Sequence, residues 1–254
     1  MPRSAPAAET STIAQEEVDA RGLRVAFSPH LFRGMMVSMA AAAIAIHRAT
    51  GSRQLAWSFA KGRARDLEWM LGVRTTMHGL EHVEHGGPFI YAPNHQSHLD
   101  ILALLGHLPG ATRFAAKREL WRHAIVGGVL DTLGMIPIDR DASEQSIQIL
   151  NRAAHEDASS IVIFPEGTRS RDGRLRDFKK GAFVLAVATG LPIVPVCCRG
   201  TRRLMPRGSQ LTVVPGDVDI FIEPPIPTTG LGYDDRDALA ARVRDAIMRN
   251  HTGW

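Results

Sequence analysis

The sequence predicts an α/β fold: a mixed, largely parallel sheet covered by helices and preceded by an N-terminal helical pair. The first observation behind it is an alternation. Short apolar runs at Phe89–Ala92, Thr112–Ala116, Met135–Ile138, Ile161–Phe164 and Ile193–Cys198 are separated by helical stretches at Asp100–Leu108, Leu120–Leu133, Glu144–Ala154 and Gly181–Thr189. Strands alternating with helices build a sheet covered on both faces. The second is the stretch 30–72, rich in Met, Ala and Ile and then in Leu, Trp, Arg and Lys, which reads as two helices parted near Thr50, Gly51 and Ser52. The third is the C-terminal part. Leu211–Val214 and Val218–Ile222 read as an antiparallel hairpin on the sheet edge. A closing helix over Asp235–Asn250 places Leu239, Val243 and Ile247 on one stripe.

The chain divides into a flexible lead over 1–28, the helical pair over 29–72 and the alternating segment over 73–254. The lead begins with small and polar residues, and Pro29 closes it. With 254 residues, 44% hydrophobic and 22% charged, the chain supports one sizeable core and is not a disordered protein. A formal charge of +4 favours anionic partners: nucleic acid, lipid headgroups and acidic carriers all qualify. Cys197 and Cys198 are adjacent and match neither a zinc spacing nor a redox pair. The N-terminus is polar and acidic before it becomes apolar, so no secretory signal is expected. The apolar run Met35–Ile46, bounded by Arg33, His47 and Arg48, is too short to cross about 30 Å of hydrocarbon. Aromatic, apolar and basic residues mixed over 30–72 suit a helix pair lying in a membrane surface instead, the alternative being a helical hairpin packed on the main core.

Reactive residues collect just after the apolar runs. Asn94, His95 and Asp100 follow the first; Lys117 and Glu119 the second; Asp139 and Arg140 the third; Glu166, Thr168 and Arg169 the fourth. Ligands of open α/β sheets bind beyond the carboxyl ends of the strands, so four strands deliver these groups to one rim. In a helix, positions five apart point about 140° away from each other, so His95 and Asp100 meet only if His95 lies in the turn before the helix. Pro93 supports such a break, and Ser97 is placed to cap the helix. An imidazole oriented by a carboxylate is a general base. No GxSxG nucleophile accompanies it, so the base would act on a substrate hydroxyl directly. His95, His98 and Asp100 also hold part of a facial metal triad, but no third ligand is evident and the basic rim opposes a cation; no metal is expected.

In the stretch FPEGTRSRDG, Pro165 and Gly167 turn the chain sharply after a buried strand. Arg169 there offers a planar fork for phosphate, and Glu166 is a candidate acceptor for substrate hydroxyls. Arg171, Arg174, Arg176, Lys179 and Lys180 read as a solvated basic loop.

The blocks NHQSHLD at 94–100, GMIPIDR at 134–140, FPEGTRS at 164–170 and LPIVPV at 191–196, with AKREL at 116–120, resemble the 1-acyl-glycerol-3-phosphate acyltransferases and their glycerolipid acyltransferase relatives over roughly 73–227. The resemblance implies that 73–254 is an acyltransferase domain with His95 as base and Asp100 as its partner. It implies substrate contacts from Lys117, Arg140, Glu166, Gly167, Thr168 and Arg169, and an acyl-facing Pro195. Pro137 departs from the larger apolar residue usual in that block. No cofactor is implied. The expected partners are a lysophospholipid, foremost 1-acyl-sn-glycerol 3-phosphate, and acyl-CoA or acyl carrier protein as donor, at the cytoplasmic face of a membrane. Alternatives are another lysolipid acceptor, such as a lyso-ornithine lipid, and a non-catalytic lipid-binding module. Nucleic acid is not expected, because no recognition motif appears and the 169–180 basic run lacks interleaved aromatics.

Overall fold

In the computed structural model, which describes residues 29–85, 87–138, 144–156, 159–208 and 212–252, the chain opens with helices α1 (Pro29–Thr50) and α2 (Arg53–Met70). The expected lead over 1–28 lies outside the described residues. Gly51 takes φ 68°, a left-handed conformation that costs glycine little, and the Ser52 side chain accepts from Leu55 N at 3.2 Å to start α2. These two residues make the break expected from the sequence. Helix α2 belongs to the core of the fold: Ala56, Trp57 and Leu67 are buried in the same apolar cluster as the sheet, and Trp57 Nε1 donates to Leu133 O at 3.0 Å. No packing boundary therefore falls at residue 72.

Seven strands follow: β1 (Val73–His78), β2 (Ile90–Pro93), β3 (Thr112–Lys117), β4 (Ile136–Ile138), β5 (Ser160–Val162), β6 (Ile193–Arg199) and β7 (Gly216–Ile222). They form one sheet in the order β1-β7-β6-β2-β5-β3-β4, parallel throughout except where β6 meets β7. Between them run α3 (Leu99–His107), α4 (Ala124–Thr132), α5 (Glu144–Glu156), α6 (Gly181–Thr189), the short α7 (Thr201–Leu204) and, after β7, α8 (Arg236–Met248). The mixed, largely parallel sheet with its N-terminal helix pair is the fold the sequence predicts.

Two apolar layers cover the sheet. Tyr91, Phe114, Val162 and Val196 pack with α2 and α3 on one face; Ile90, Ile161, Ile163 and Ile193 pack with α5, α6 and α8 on the other. Successive strand residues thus point into opposite cores. Leu239, Val243 and Ile247 are buried, as their stripe on α8 requires.

The expected C-terminal hairpin is corrected. Leu211 lies outside the described residues, and 212–215 form no strand. Strand β7 lies inside the sheet, antiparallel to β6 and parallel to β1, and the edge position belongs to β1. Burial alternates along β1, with Val73 buried, Thr75 and Met77 half-buried and the residues between them exposed, so its sequence VRTTMH shows no apolar run. Strand β4 is the other edge, which accommodates Pro137: an edge strand tolerates a residue without an N–H.

Candidate active site

The chain from β2 crosses through α3 to β3, while the chain from β5 crosses through α6 to β6, on the other side of β2. Adjacent strands whose connections diverge leave a crevice at their carboxyl ends. The turn 94–98 after β2 and the turn 165–168 after β5 meet there.

Asn94, fully buried, extends the pairing of β2 with β6: its amide donates to Cys198 O at 3.0 Å and accepts from Cys198 N at 2.6 Å. The next four residues turn into α3. Asp100 Oδ2 accepts from His95 Nδ1 at 2.8 Å, Gln96 N at 2.7 Å and Ser97 N at 2.8 Å. Asp100 therefore holds the turn and the imidazole together. Ser97 Oγ accepts from Leu99 N at 3.2 Å and donates to Met205 O at 2.7 Å, so the expected capping is shared with Asp100. With the His95 proton on Nδ1, facing a carboxylate, Nε2 is left as the acceptor. The ring stacks on Phe164, centroids 4.0 Å apart, and the side chain is 13% exposed.

Glu166 sits differently from its expected role. It is 3% exposed; Oε1 accepts from His95 N at 2.6 Å and Oε2 from Arg176 N at 2.9 Å. Ser170 N donates to His95 O at 2.8 Å, so the two turns are tied on both sides of His95. Burial pushes the Glu166 carboxyl up to about 7, opposed by the two main-chain donors. Glu166 is a clamp between loops and does not line the cavity. Pro195 does not line it either: it is buried in β6, paired with Ala92 of β2. Arg140 lies outside the described residues.

His95 opens onto a cavity of about 440 Å³. Lys117, Gly167, Thr168 and Arg169 line it, together with Lys179, Arg207 and His98. Gly167 has φ 65°, and a Cβ there would stand 3.0 Å from Lys179 Cδ, so the turn requires glycine. No carboxylate is among the described lining residues, whereas four cations are; the deeper wall is apolar, with Phe114, Leu130, Met135, Leu150 and Ile163. Arg207 Nη1 donates to Arg169 O at 3.0 Å. Partial burial lowers the Arg169 pKa from its ordinary value, and the charge of Arg207 lowers it further. Two like charges held together at an apolar cavity make a site for an anionic head on an apolar tail. Partial burial of its ring lowers the pKa of His98, and the charges of Arg169 and His95 add to this. Among the described residues no three of His, Cys, Asp and Glu gather as a metal ligand set.

Arg207 and the walls from α4 and α5 escape a reading by strand ends. Arg207 lies 38 residues past Arg169, in a Pro- and Gly-punctuated basic stretch whose return to the crevice depends on tertiary packing.

A protein-family model described as Acyltransferase matches residues 74–199, the span from β1 to β6 that holds both turns. The class is therefore that of the acyltransferases. The 1-acyl-sn-glycerol-3-phosphate acyltransferase alpha of Homo sapiens is 31% identical over 233 residues, 87% of this chain and 79% of the human protein. The chloroplastic 1-acyl-sn-glycerol-3-phosphate acyltransferase BAT2 of Brassica napus is 38% identical over 156 residues, 60% of this chain. The chain spans 45% of that plant relative's length. The crystal structure of the 1-acyl-sn-glycerophosphate (LPA) acyltransferase PlsC from Thermotoga maritima superposes with a TM-score of 0.76 at 25% identity, covering 93% of this chain and 99% of that one. This chain belongs to the 1-acyl-sn-glycerol-3-phosphate acyltransferase family of O-acyltransferases.

Proposed function

We propose that the protein transfers a fatty acyl group from acyl-CoA or acyl carrier protein to the free hydroxyl of 1-acyl-sn-glycerol 3-phosphate, giving phosphatidic acid. The observation that carries this reading is the position of the oriented His95 ring, at a cavity with a cationic mouth and an apolar interior. That combination suits a phosphate-bearing acyl lipid.

In the proposed reaction, His95 Nε2 takes the proton of the acceptor hydroxyl as its oxygen attacks the thioester carbonyl carbon. The new C–O bond forms, the C–S bond breaks, and the thiolate leaves with the proton returned by the imidazolium. Asp100 stabilises that imidazolium across the 2.8 Å contact. Arg169, Lys117 and Arg207 hold the phosphate, which fixes the hydroxyl near Nε2. The reaction needs neither a metal nor a cofactor.

We further place the protein on the cytoplasmic face of a membrane. No described helix is long and apolar enough to cross a membrane. Met36 and Val37 on α1 and Ile125 and Val126 on α4 are exposed apolar side chains on two helices packed together. Ile101 and Leu120, also exposed, line the cavity itself, so a lipid chain has an apolar route into it.

Thiol release measured with both donors across a panel of lysolipids tests the proposal. The expected result is turnover that requires a phosphate monoester on the acceptor. Equal turnover with a lyso-ornithine lipid, or none with any lysolipid, ends it.

A further inference from the structure

The NHQSHLD turn is held from a second direction, far along the chain. Gln96, beside His95, is 3% exposed, and its Nε2 lies 2.8 Å from Gly173 O and 2.8 Å from His251 Nε2. An amide nitrogen carries two N–H groups, and the Gly173 carbonyl takes one. The other points at His251 Nε2, which must offer a lone pair. Reversing the amide would set its oxygen against the Gly173 carbonyl oxygen, so the assignment is determined by the network. The proton of the neutral imidazole then sits on Nδ1, and the ring hydrogen-bonds its own main chain.

His251 is 6% exposed and follows α8, whose Leu239, Val243 and Ile247 are anchored in the core; His251 N donates to Ile247 O at 3.1 Å. Gln96 thus joins three segments: the turn that carries His95, the loop 170–174 and the end of α8. Its own N–H donates to Asp100 Oδ2, the oxygen that also holds the His95 ring. A shift of Gln96 is therefore a shift of the carboxylate–imidazole pair.

We propose that His251, as a neutral imidazole accepting from Gln96, is a positioning residue for His95. This rests on the acyl-transfer reading given above. Protonation would replace the lone pair with an N–H facing an N–H and release Gln96. Burial lowers the pKa of His251, its main-chain bond opposes this, and Arg244 lowers it again. The other charged or titratable groups on the segments meeting here are Arg171, Asp172 and Arg174 in the loop, His98 and the His95–Asp100 pair in the turn, and Asp245 and Arg249 at the end of α8.

The test compares His251→Ala and His251→Gln in the full chain, since glutamine keeps an acceptor but does not titrate. His251→Ala is expected to lower kcat about ten-fold, a loss of reach at His95, with the acceptor KM unchanged. His251→Gln is expected to restore most of kcat and to simplify the acid limb of the pH profile to one ionisation. Wild-type kcat in the alanine variant overturns the proposal. So does a glutamine variant as slow as alanine that melts like the wild type. Histidine ring nitrogen NMR gives a readout independent of turnover: His251 must appear at neutral pH as the Nδ1–H tautomer. An imidazolium or an Nε2–H ring there overturns the assignment, even if acyl transfer proves not to be the reaction.

Discussion

At the scale of single residues, the chemistry depends on how few partners each group is allowed. Asp100 spends one oxygen on three donors, and two of these are main-chain N–H groups that remain if the His95 ring is removed. His95→Ala should therefore fold, and kcat should drop by about 10²–10⁴, the usual range for losing a general base. Asp100→Asn should lower both kcat and the melting temperature, because it disturbs the turn as well as the ring. Steady-state turnover beside thermal melts checks both; near-normal turnover in His95→Ala would remove the base from the mechanism. A second contrast concerns Arg207, which lines the cavity beside Arg169, and Arg174, which is exposed on the loop and absent from the lining. A charge-assisted hydrogen bond to phosphate is worth roughly 1.5–3 kcal/mol, so Arg207→Ala should raise the acceptor KM about ten- to a hundred-fold. Arg174→Ala should give a small loss that vanishes at high salt, where exposed charges are screened. Kinetics at two salt concentrations decide; equal effects at the two positions would reduce the rim to a diffuse attractor.

At the scale of elements, α1 is sparsely buried: among its described side chains only Ala43 is fully covered. Its later part packs on α4, where Gly128 gives Ile44 room: a Cβ there would stand 3.1 Å from Ile44 Cδ1. Its earlier part leaves Met36 40% and Val37 45% exposed, and Ile125 on α4 is 47% exposed. Burying an apolar side chain of this size is worth about 1.5–3 kcal/mol, and the half already covered reduces the gain still available to about 1 kcal/mol each. Adding a charge reverses the sign. Met36→Asp with Val37→Asp should therefore weaken binding to anionic vesicles at least about ten-fold. Tyr233→Ser is the control, because Tyr233 is 61% exposed just before α8, on the opposite face of the sheet. Vesicle flotation of both variants is the measurement, and equal retention would mean that α1 is not the contact.

At the scale of the whole molecule, what can be read in the sequence follows how local each constraint is. Strands β2, β5 and β6 are mostly apolar because helices cover them on both faces, and the His95–Asp100 pair lies within a single turn. Strand β1 is hidden because an edge strand alternates, and the expected hairpin mistakes adjacency in sequence for pairing. Glu166 looks like a substrate ligand because its carboxylate follows a strand; only the fold brings His95 N and Arg176 N onto it. Arg207, Leu130 and His251 reach the crevice from separate elements, so no spacing along the chain announces them.

Glu166 and His251 grip the same crevice and depend on pH in opposite ways. Burial raises the Glu166 pKa from 4.5 to about 7, so the folded protein holds a proton there that the unfolded chain loses. Its contribution to stability is complete below the ordinary carboxyl value and is lost as pH rises through about 7. His251 is lowered from 6.5, so its contribution is complete above that value and is lost as pH falls through its folded pKa. Between about 4.5 and 6.5 the two oppose each other, which flattens the stability of the wild type. Urea unfolding of Glu166→Gln and His251→Gln across this range separates them. The stability difference between wild type and Glu166→Gln should shrink as pH rises from 4.5 to about 7, by at most about 3 kcal/mol, because a ten-fold change in proton affinity is worth about 1.36 kcal/mol. The difference between wild type and His251→Gln should instead grow as pH rises towards 6.5. Because Glu166 holds His95 from its main chain and does not line the cavity, Glu166→Gln should also lower kcat while leaving the acceptor KM near its wild-type value. A large rise in KM with kcat preserved would return Glu166 to the substrate site, and differences independent of pH would mean that neither group titrates in the folded crevice.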